Sequence, residues 1–338
     1  MTWQNRNPYT LYKSATALAL LILGLSLSTP GYQAAEEQNA SLKPWNELST
    51  ERRYSISQSF RFCRFQTKNG SMAALLIFDL NDRNFVLKPF FNQRNATVSS
   101  TVKEQKGLVG LNGGFFNLSN GESTSYVVID GKNQCDPKQN KALIENPELK
   151  SYLEIILNRS ELRILEDSNK KLKACITFHT DPVPVGWTLL HSLQAGPSLL
   201  PKLTDCEEAF TRQSPEGKVI DSIGVKKKAA RTAVGITRDN HVLLLCVANK
   251  NQDEFSSGVT LDELAQMLRE LGCSQAMNLD GGTSTTMVIT EGDARDESDY
   301  SVDKVIAGEP EKLVKSGLLI EKNVNRGKSR YMINSFPR

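Results

Sequence analysis

The stretch Thr260–Val288, TLDELAQMLRELGCSQAMNLDGGTSTTMV, decides how the chain reads. Thr260 is a favourable N-cap, and Glu263 three places later completes a capping box. Leu261, Leu264, Ala265, Leu268 and Leu271 recur at helical spacing, which predicts a helix with one apolar face. Gly272 ends it, because a glycine just past the last turn takes the left-handed conformation without strain. Cys273 to Leu279 then reads as a short apolar strand that delivers Asn278-Leu279-Asp280-Gly281-Gly282-Thr283-Ser284-Thr285-Thr286, and Met287-Val288-Ile289 leads away as a second strand. A helix, a buried strand and a carboxylate on a Gly-Gly turn have the makings of a site, since the turn's amides and hydroxyls can hold an oxyanion beside Asp280. The plainer alternative is a tight hairpin in which Asp280 only favours the turn backbone, and the hydroxyl run Thr283 to Thr286 partly reflects strand propensity.

Outward from this stretch, composition excludes several classes. The chain has 338 residues, is 39% hydrophobic and 23% charged, and carries a formal net charge of +3. That is an ordinary soluble composition, and the charge is too small to argue for nucleic acid. Lys226-Lys227-Lys228 is short and reads as a solvated loop. Residues 1–35 are expected to be a signal peptide or an uncleaved N-terminal anchor: Ala15 to Leu27 is an apolar run of signal length, broken by Ser28-Thr29-Pro30-Gly31, with small residues at Ala34-Ala35. The body is therefore expected outside the cytosol, periplasmic, secreted or membrane-anchored, and a membrane is a partner only through that anchor. Residues 36–53 read as a linker, 54–322 as one domain and 323–338 as a tail.

Six cysteines permit disulfides without fixing a pairing, and Cys246 and Cys273 read equally as buried thiols. No two cysteines have zinc-finger spacing, and His179, His191 and His241 are scattered, so no metal is assigned. No cofactor is expected, although a divalent cation beside Asp280 is chemically reasonable.

Along the domain, Tyr54 to Phe65 reads as a half-exposed strand. Met72 to Leu80 reads as a buried strand, with Phe85 to Phe90 returning as its hairpin partner. Thr97 to Gln105 is a polar helix, and Gly107 to Leu111 a short strand ending at Asn112-Gly113-Gly114-Phe115-Phe116-Asn117. Tyr126 to Ile129 turns at Asp130-Gly131, a strong hairpin cue. Tyr152 to Leu157 and Leu162 to Leu165 alternate and are predicted to pair as strands. Residues 201–230 read as loops, Thr232–Thr237 and Val242–Ala248 as a hairpin with Arg231 at its mouth, 291–312 as exposed and charged, and Ser316 to Ile320 as a closing edge strand. Many short strands with one convincing helix argue for an α+β fold, a single domain of mixed, mostly antiparallel sheet.

Asn112-Gly113-Gly114 reads as an anion-binding nest or as a common two-glycine turn, and Arg231 as a phosphate fork or as a surface cation. Taken in order, Asn112-Gly113-Gly114-Phe115-Phe116, Asp130-Gly131, Ala195-Gly196-Pro197, Arg231-Thr232-Ala233-Val234-Gly235 and Asn278-Leu279-Asp280-Gly281-Gly282-Thr283-Ser284 resemble the phosphodiester glycosidase family over roughly residues 60–322. Glu122 to Ser125 departs from the Pro and Gly that members often carry there.

The resemblance implies an α/β fold with a cavity where these loops meet, and hydrolysis of the bond between a sugar's anomeric carbon and a phosphodiester. It implies a sugar-phosphate or glycan substrate, with N-acetylglucosamine among the candidate sugars. A phosphate monoester leaves readily, so the chemistry needs an anion site and a carboxylate more than a strong general acid. The expected catalytic pair is Asp280, facing the anomeric carbon, and Arg231, on the phosphate. The amides of Gly113, Gly114, Gly281 and Gly282 add to the anion site, Asn112 and Asn278 bind sugar hydroxyls or an acetamido group, and Thr283 and Ser284 bond to phosphate. The rival readings are a non-catalytic envelope protein binding sugar phosphates or cell-wall polymer, and a sugar-kinase-type phosphotransferase, whose phosphate loop belongs at the start of a domain rather than near its end.

Overall fold

A computed structural model describes residues 53–57, 60–214, 216–248, 258–291 and 301–323. The expected signal segment, nearly all of the linker and nearly all of the tail lie outside the described residues. β1 (Arg53–Ser57) and β2 (Phe60–Gln66) form a hairpin where one strand was expected. β3 (Met72–Asp79) continues antiparallel to β2.

β4 (Phe85–Ala96) corrects an expectation. It does not return along β3 but pairs with a strand far along the chain, because the other edge of β3 is taken by the strand that follows Asn240. The Val98–Glu104 helix, capped by Thr97, leads to β5 (Val109–Asn112). β6 (Val127–Ile129) and β7 (Lys132–Cys135) make the hairpin at Asp130-Gly131, both left-handed with φ of 52° and 70°. Tyr152–Leu157, expected as a strand, is a one-turn 3-10 segment followed by a Leu153–Leu157 helix. Tyr152, Leu153, Ile156 and Leu157 pack around Leu143, a spacing that fits a helical stripe as well as an alternating one over so few residues.

β8 (Ser160–Asp167), β9 (Leu172–Phe178), β10 (Trp187–Gln194) and β11 (Ser198–Leu200) follow. After them come the small β12 (Thr211–Gln213) and β13 (Val219–Asp221) hairpin, then β14 (Arg231–Thr237) and β15 (His241–Ala248). The Leu261–Glu270 helix has the expected capping box, and Gly272 sits at φ 87° beyond it. β16 (Cys273–Asn278), β17 (Met287–Glu291), β18 (Ser301–Ile306) and β19 (Val314–Lys322) complete the fold.

Three larger sheets result, in the orders β1-β2-β3-β15-β14-β16-β11, β7-β6-β10-β8-β9 and β18-β17-β5-β19-β4. The pairings within them are antiparallel, as the α+β reading expects. β19 is not an edge: it lies between β5 and β4, and Gly317 within it lets the Leu111 carbonyl approach closely. β18 pairs with β17, so the charged segment after residue 300 is partly strand.

Alternation explains the layering. Ala74, Leu76 and Phe78 of β3 face a central core shared with Leu111, Leu193, Val234, Met277 and Leu318 from the three sheets. Ala73, Leu75 and Ile77 face the opposite way, toward Leu261, Leu264 and Leu268 of the long helix. A strand buried on both faces can be continuously apolar, which is how Met72 to Phe78 reads. Cys246 and Cys273 are buried thiols, with burial pushing both up to about 12, so neither is a ready nucleophile.

Candidate active site

The ends of four strands deliver the glycine turns to one place. β5 ends at Asn112, β16 at Asn278, β14 begins at Arg231, and β10 ends one residue before Ala195. Their backbones are tied together. The Asp280 amide donates to the Gly113 carbonyl at 2.8 Å, and the Leu279 amide to the Thr232 carbonyl at 2.8 Å. The Gly282 amide donates to the Ala230 carbonyl at 2.8 Å, and the Gly196 amide to the Asn278 carbonyl at 3.0 Å.

Asn112 is the knot. It is fully buried; its Nδ2 donates to the Asp280 carbonyl at 2.6 Å, and its Oδ1 accepts from the Thr232 hydroxyl at 2.8 Å and the Thr286 amide at 3.0 Å. This is a different job from the sugar contact expected of it, since both Oδ1 lone pairs are occupied. Replacing Asn112 with Ala strands two buried donors and a carbonyl, and should lower stability by about 3 kcal/mol, read from the urea midpoint.

The nest expected at Gly113-Gly114 is also bound within the protein. The Gly113 amide donates to the Ser316 carbonyl at 3.0 Å and the Gly114 amide to the Ser316 hydroxyl at 3.2 Å, so neither is turned toward an outside anion. These glycines serve close approach: a Cβ on Gly113 would lie 2.7 Å from both the Gly317 Cα and a Leu193 methyl.

Arg231 departs furthest from expectation. It is buried at 3% exposure, and its Nε donates to the Val259 carbonyl at 3.1 Å. Nη1 donates to Ile223 at 2.9 Å, and Nη2 to Gly224 at 2.6 Å and Lys227 at 2.9 Å. Four of its five N–H groups thus go to backbone carbonyls, and the two-pronged face a phosphate requires is taken. Burial lowers its pKa to about 10, partly offset by Asp221, so it stays charged at neutral pH. Arg231 fastens the loop carrying Lys226-Lys227-Lys228 against the start of β14, the strand paired with β16, which leads into the Asp280 turn.

Asp280 itself stands where chemistry is possible. It keeps part of its surface open to solvent while its carboxyl is enclosed by protein. Desolvation raises its pKa to about 7, and hydrogen bonds from the Ser284 hydroxyl and the Gly281 amide pull the other way. Ser284 is buried, whereas Thr283 is exposed beside it. Asn278 gives its Nδ2 to the Gly196 carbonyl at 3.0 Å, but its Oδ1 is buried without a hydrogen-bond partner, as are the hydroxyls of Thr285 and Thr286. Buried polar atoms are normally paired, so three such atoms on one loop mark it as unusual. Among the described residues no cluster of three or more His, Cys, Asp or Glu side chains is arranged to hold a metal ion.

Two groups here were not legible in the sequence. Ser316, read as part of an edge strand, receives both nest amides. Glu208, read as loop, is fully buried behind the Gly196 turn. Its Oε1 accepts from the Ser160 hydroxyl at 2.7 Å, the Ser198 amide at 2.8 Å and the Thr204 hydroxyl at 2.5 Å, and its Oε2 from the Ser160 amide at 2.8 Å. Gly196, at φ 102°, has no room for a side chain, because a Cβ would lie 2.3 Å from Glu208 Oε2. Gly196→Ala combines backbone strain with that clash and should lower stability by about 3 kcal/mol, measured by thermal unfolding. Phe115 packs on Phe210 with ring centroids 5.4 Å apart, and the Arg159 guanidinium lies 3.7 Å above the other ring of that pair, Phe210.

Comparison with known proteins agrees with this architecture. The mouse N-acetylglucosamine-1-phosphodiester alpha-N-acetylglucosaminidase is 28% identical over 63% of this chain and 38% of its own length, and the human protein of the same name is 27% identical over 63% and 38%. The chain thus spans under half the length of these curated relatives. The zebrafish catalytic domain of that name, solved in a form auto-inhibited by its pro-peptide, superposes with a TM-score of 0.55 at 16% identity, covering 81% of this chain and 87% of that one. A Synechocystis protein superposes with a TM-score of 0.52 at 14% identity, covering 78% and 62%. At those identities the structural likeness concerns the fold. Residues 105–321 match the phosphodiester glycosidase family, a span that holds every turn tied into the Asp280 junction, and the chain belongs to that family.

Proposed function

We propose that the protein is a glycosidase that hydrolyses the bond between a sugar's anomeric carbon and a phosphodiester, with N-acetylglucosamine as the first sugar to test, and that it acts outside the cytosol as an exported or N-terminally anchored domain. The observation that carries this reading is the convergence of the Gly113-Gly114, Gly196 and Gly281-Gly282 turns on Asp280, in a chain of this family, with the carboxyl's pKa raised to about 7. A base whose pKa lies near the working pH has a usable ionised fraction and still accepts a proton effectively.

In the reaction, the bond from the anomeric carbon to the phosphate oxygen breaks and its electron pair leaves with the phosphate monoester. Water supplies the new oxygen on the sugar. Asp280 faces that carbon, either taking the water's proton or attacking first and being released by water; both need its ionised form. Rate should therefore rise with pH through about 7 and level off above it.

Arg231 acts in this reading as the fastener of a loop rather than as a phosphate ligand. Lys227 and Lys228 are exposed on that loop, and they supply the positive charge for the phosphate. The exposed Thr283 hydroxyl contributes a hydrogen bond, whereas the Gly282 amide is held by the Ala230 carbonyl and the Gly281 amide by Asp280, so the anion contacts expected of those two glycines are taken within the protein. Changing Lys227 and Lys228 together to Glu should raise KM for a phosphodiester about tenfold and leave a neutral aryl glycoside nearly unaffected; equal effects on both would remove the lysines from phosphate binding. The activity itself is tested by incubating the purified protein with an N-acetylglucosamine phosphodiester and assaying free sugar. Tight binding without release would favour a sugar-phosphate-binding envelope protein.

A further inference from the structure

Arg159, the residue before β8, is 9% exposed, and its guanidinium is stacked on Phe210. Its Nε donates to the Glu208 carbonyl at 2.9 Å and its Nη2 to the Ala209 carbonyl at 3.5 Å. Arg212, half-buried on β12, reaches the same Ala209 carbonyl, its Nη1 donating at 3.4 Å. Two guanidinium groups thus converge on one carbonyl oxygen. Tyr152 backs the second of them. Its ring centre is 6.0 Å from the Arg212 guanidinium, and its hydroxyl donates to the neighbouring Gln213 carbonyl at 2.8 Å.

Buried charges are normally paired. Among the described residues, neither guanidinium has a carboxylate within ion-pair distance. Glu208 is near Arg159, but its carboxylate is spent on the hydroxyls of Ser160 and Thr204 and the amides of Ser160 and Ser198. Burial lowers the Arg159 pKa to about 10; Glu208 partly restores it, and the like charge of Arg212 pushes the same way as burial. Both groups still carry a donor surplus. A guanidinium has five N–H groups, of which Arg159 has used two and Arg212 one. Arg159 Nη1 has no protein partner among the described residues and is not sealed from solvent. The two oxygens of a carboxylate, or the two free oxygens of a phosphodiester, offer about four lone-pair sites to so many donors. The three terminal oxygens of a phosphate monoester offer about six and match two forks.

We propose that Arg159 and Arg212 form a binding site for a tetrahedral oxyanion with at least three free oxygens, a phosphate monoester or the free phosphate ion, separate from the Asp280 junction. Lys227 and Lys228, which serve the scissile phosphodiester in the reading above, are not part of it. The claim concerns binding and stands whether or not the protein hydrolyses a glycosyl phosphodiester. Arg212 is the residue to change, because its single hydrogen bond to the protein is long and its side chain is half-buried. Loss of Arg159 would instead strand the Glu208 and Ala209 carbonyls.

Calorimetric titration of the purified protein with methyl phosphate tests it, with inorganic phosphate, dimethyl phosphate and acetate run alongside. Saturable binding of methyl phosphate is expected, with dimethyl phosphate and acetate weaker by about tenfold or more. Inorganic phosphate binding as tightly as methyl phosphate makes the free ion the ligand, and tighter binding of methyl phosphate makes it a monoester; either supports the site. Arg212→Gln should weaken methyl phosphate about tenfold or more with the thermal unfolding midpoint unchanged. Arg212→Lys keeps the charge without the planar fork and should weaken it about threefold or more; this variant decides if Arg212→Gln unfolds. Changing Lys227 and Lys228 together to Ala should leave the affinity within about threefold, since screened charges outside the site add little. No saturable binding, equal binding of dimethyl phosphate or acetate, or a folded Arg212 variant that binds normally overturns the proposal. So does loss of binding in the lysine variant, which would put the ligand at the Asp280 junction.

Discussion

Asp280→Asn is expected to lower hydrolysis of a glycosyl phosphodiester by about a thousandfold, with the fold intact. The backbone contacts that seat the turn, Asp280 amide to Gly113 and Asp280 carbonyl to Asn112, do not involve the side chain. The amide of Asn nearly matches the carboxylate in size but can neither attack carbon nor take a proton from water. The same variant makes a second prediction through linkage. The folded-state pKa of about 7 lies above the ordinary 3.8, so the folded protein holds this proton more tightly than the unfolded chain does. Its contribution therefore favours folding at low pH and is lost as pH rises from about 4 to about 7. Relative to wild type, Asp280→Asn should be no less stable at pH 8, and the stability difference between the two should move steadily toward the wild type as pH is lowered across that window. A flat difference, measured by urea unfolding at several pH values, would mean that the carboxyl titrates normally.

The second large effect is expected at Arg231. Removing its side chain leaves the Val259, Ile223, Gly224 and Lys227 carbonyls without their donor and opens space beside the Gly281 turn. Arg231→Ala should cost about 3 kcal/mol or more of stability. Activity should fall together on phosphodiesters and on neutral aryl glycosides, because the damage is to the frame and not to one substrate contact. Arg231→Lys should rescue little: a single ammonium cannot reproduce a planar fork that spans carbonyls from two segments. A selective rise in KM for phosphodiesters, with stability unchanged, would restore the guanidinium to the phosphate.

The contrast between these two residues shows what the sequence carries. Local signals were legible where one principle dominates: the capping box at Thr260 and Glu263, the hairpin at Asp130-Gly131, and the continuous apolar strand over Met72 to Phe78 all stand as read. Long-range pairing was not. Nothing local to Phe85–Ala96 says that it joins Val314–Lys322 instead of the strand just before it. Nor does Ser316 announce that its carbonyl and hydroxyl receive the two amides of a glycine nest 200 residues earlier.

The candidate site was legible as a set of segments and not as a set of roles. The turns at Asn112, Gly196, Arg231 and Asp280 do meet. A polar residue at a turn looks alike in sequence whether it faces a ligand or ties the backbone, and Asn112 and Arg231 tie the backbone. Glu208 lay in a polar stretch, where a buried carboxylate with four donors has the same composition as a solvated loop.

The central claim is that this junction directs water to carbon and leaves phosphorus alone, and the position of bond cleavage tests it most directly. An N-acetylglucosamine phosphodiester should be hydrolysed in ¹⁸O-enriched water and the products weighed by mass spectrometry. The label is expected in the anomeric hydroxyl of the released sugar, with the phosphate monoester unlabelled. Label in the phosphate would make the protein a phosphodiesterase acting at phosphorus and would contradict the role given to Asp280.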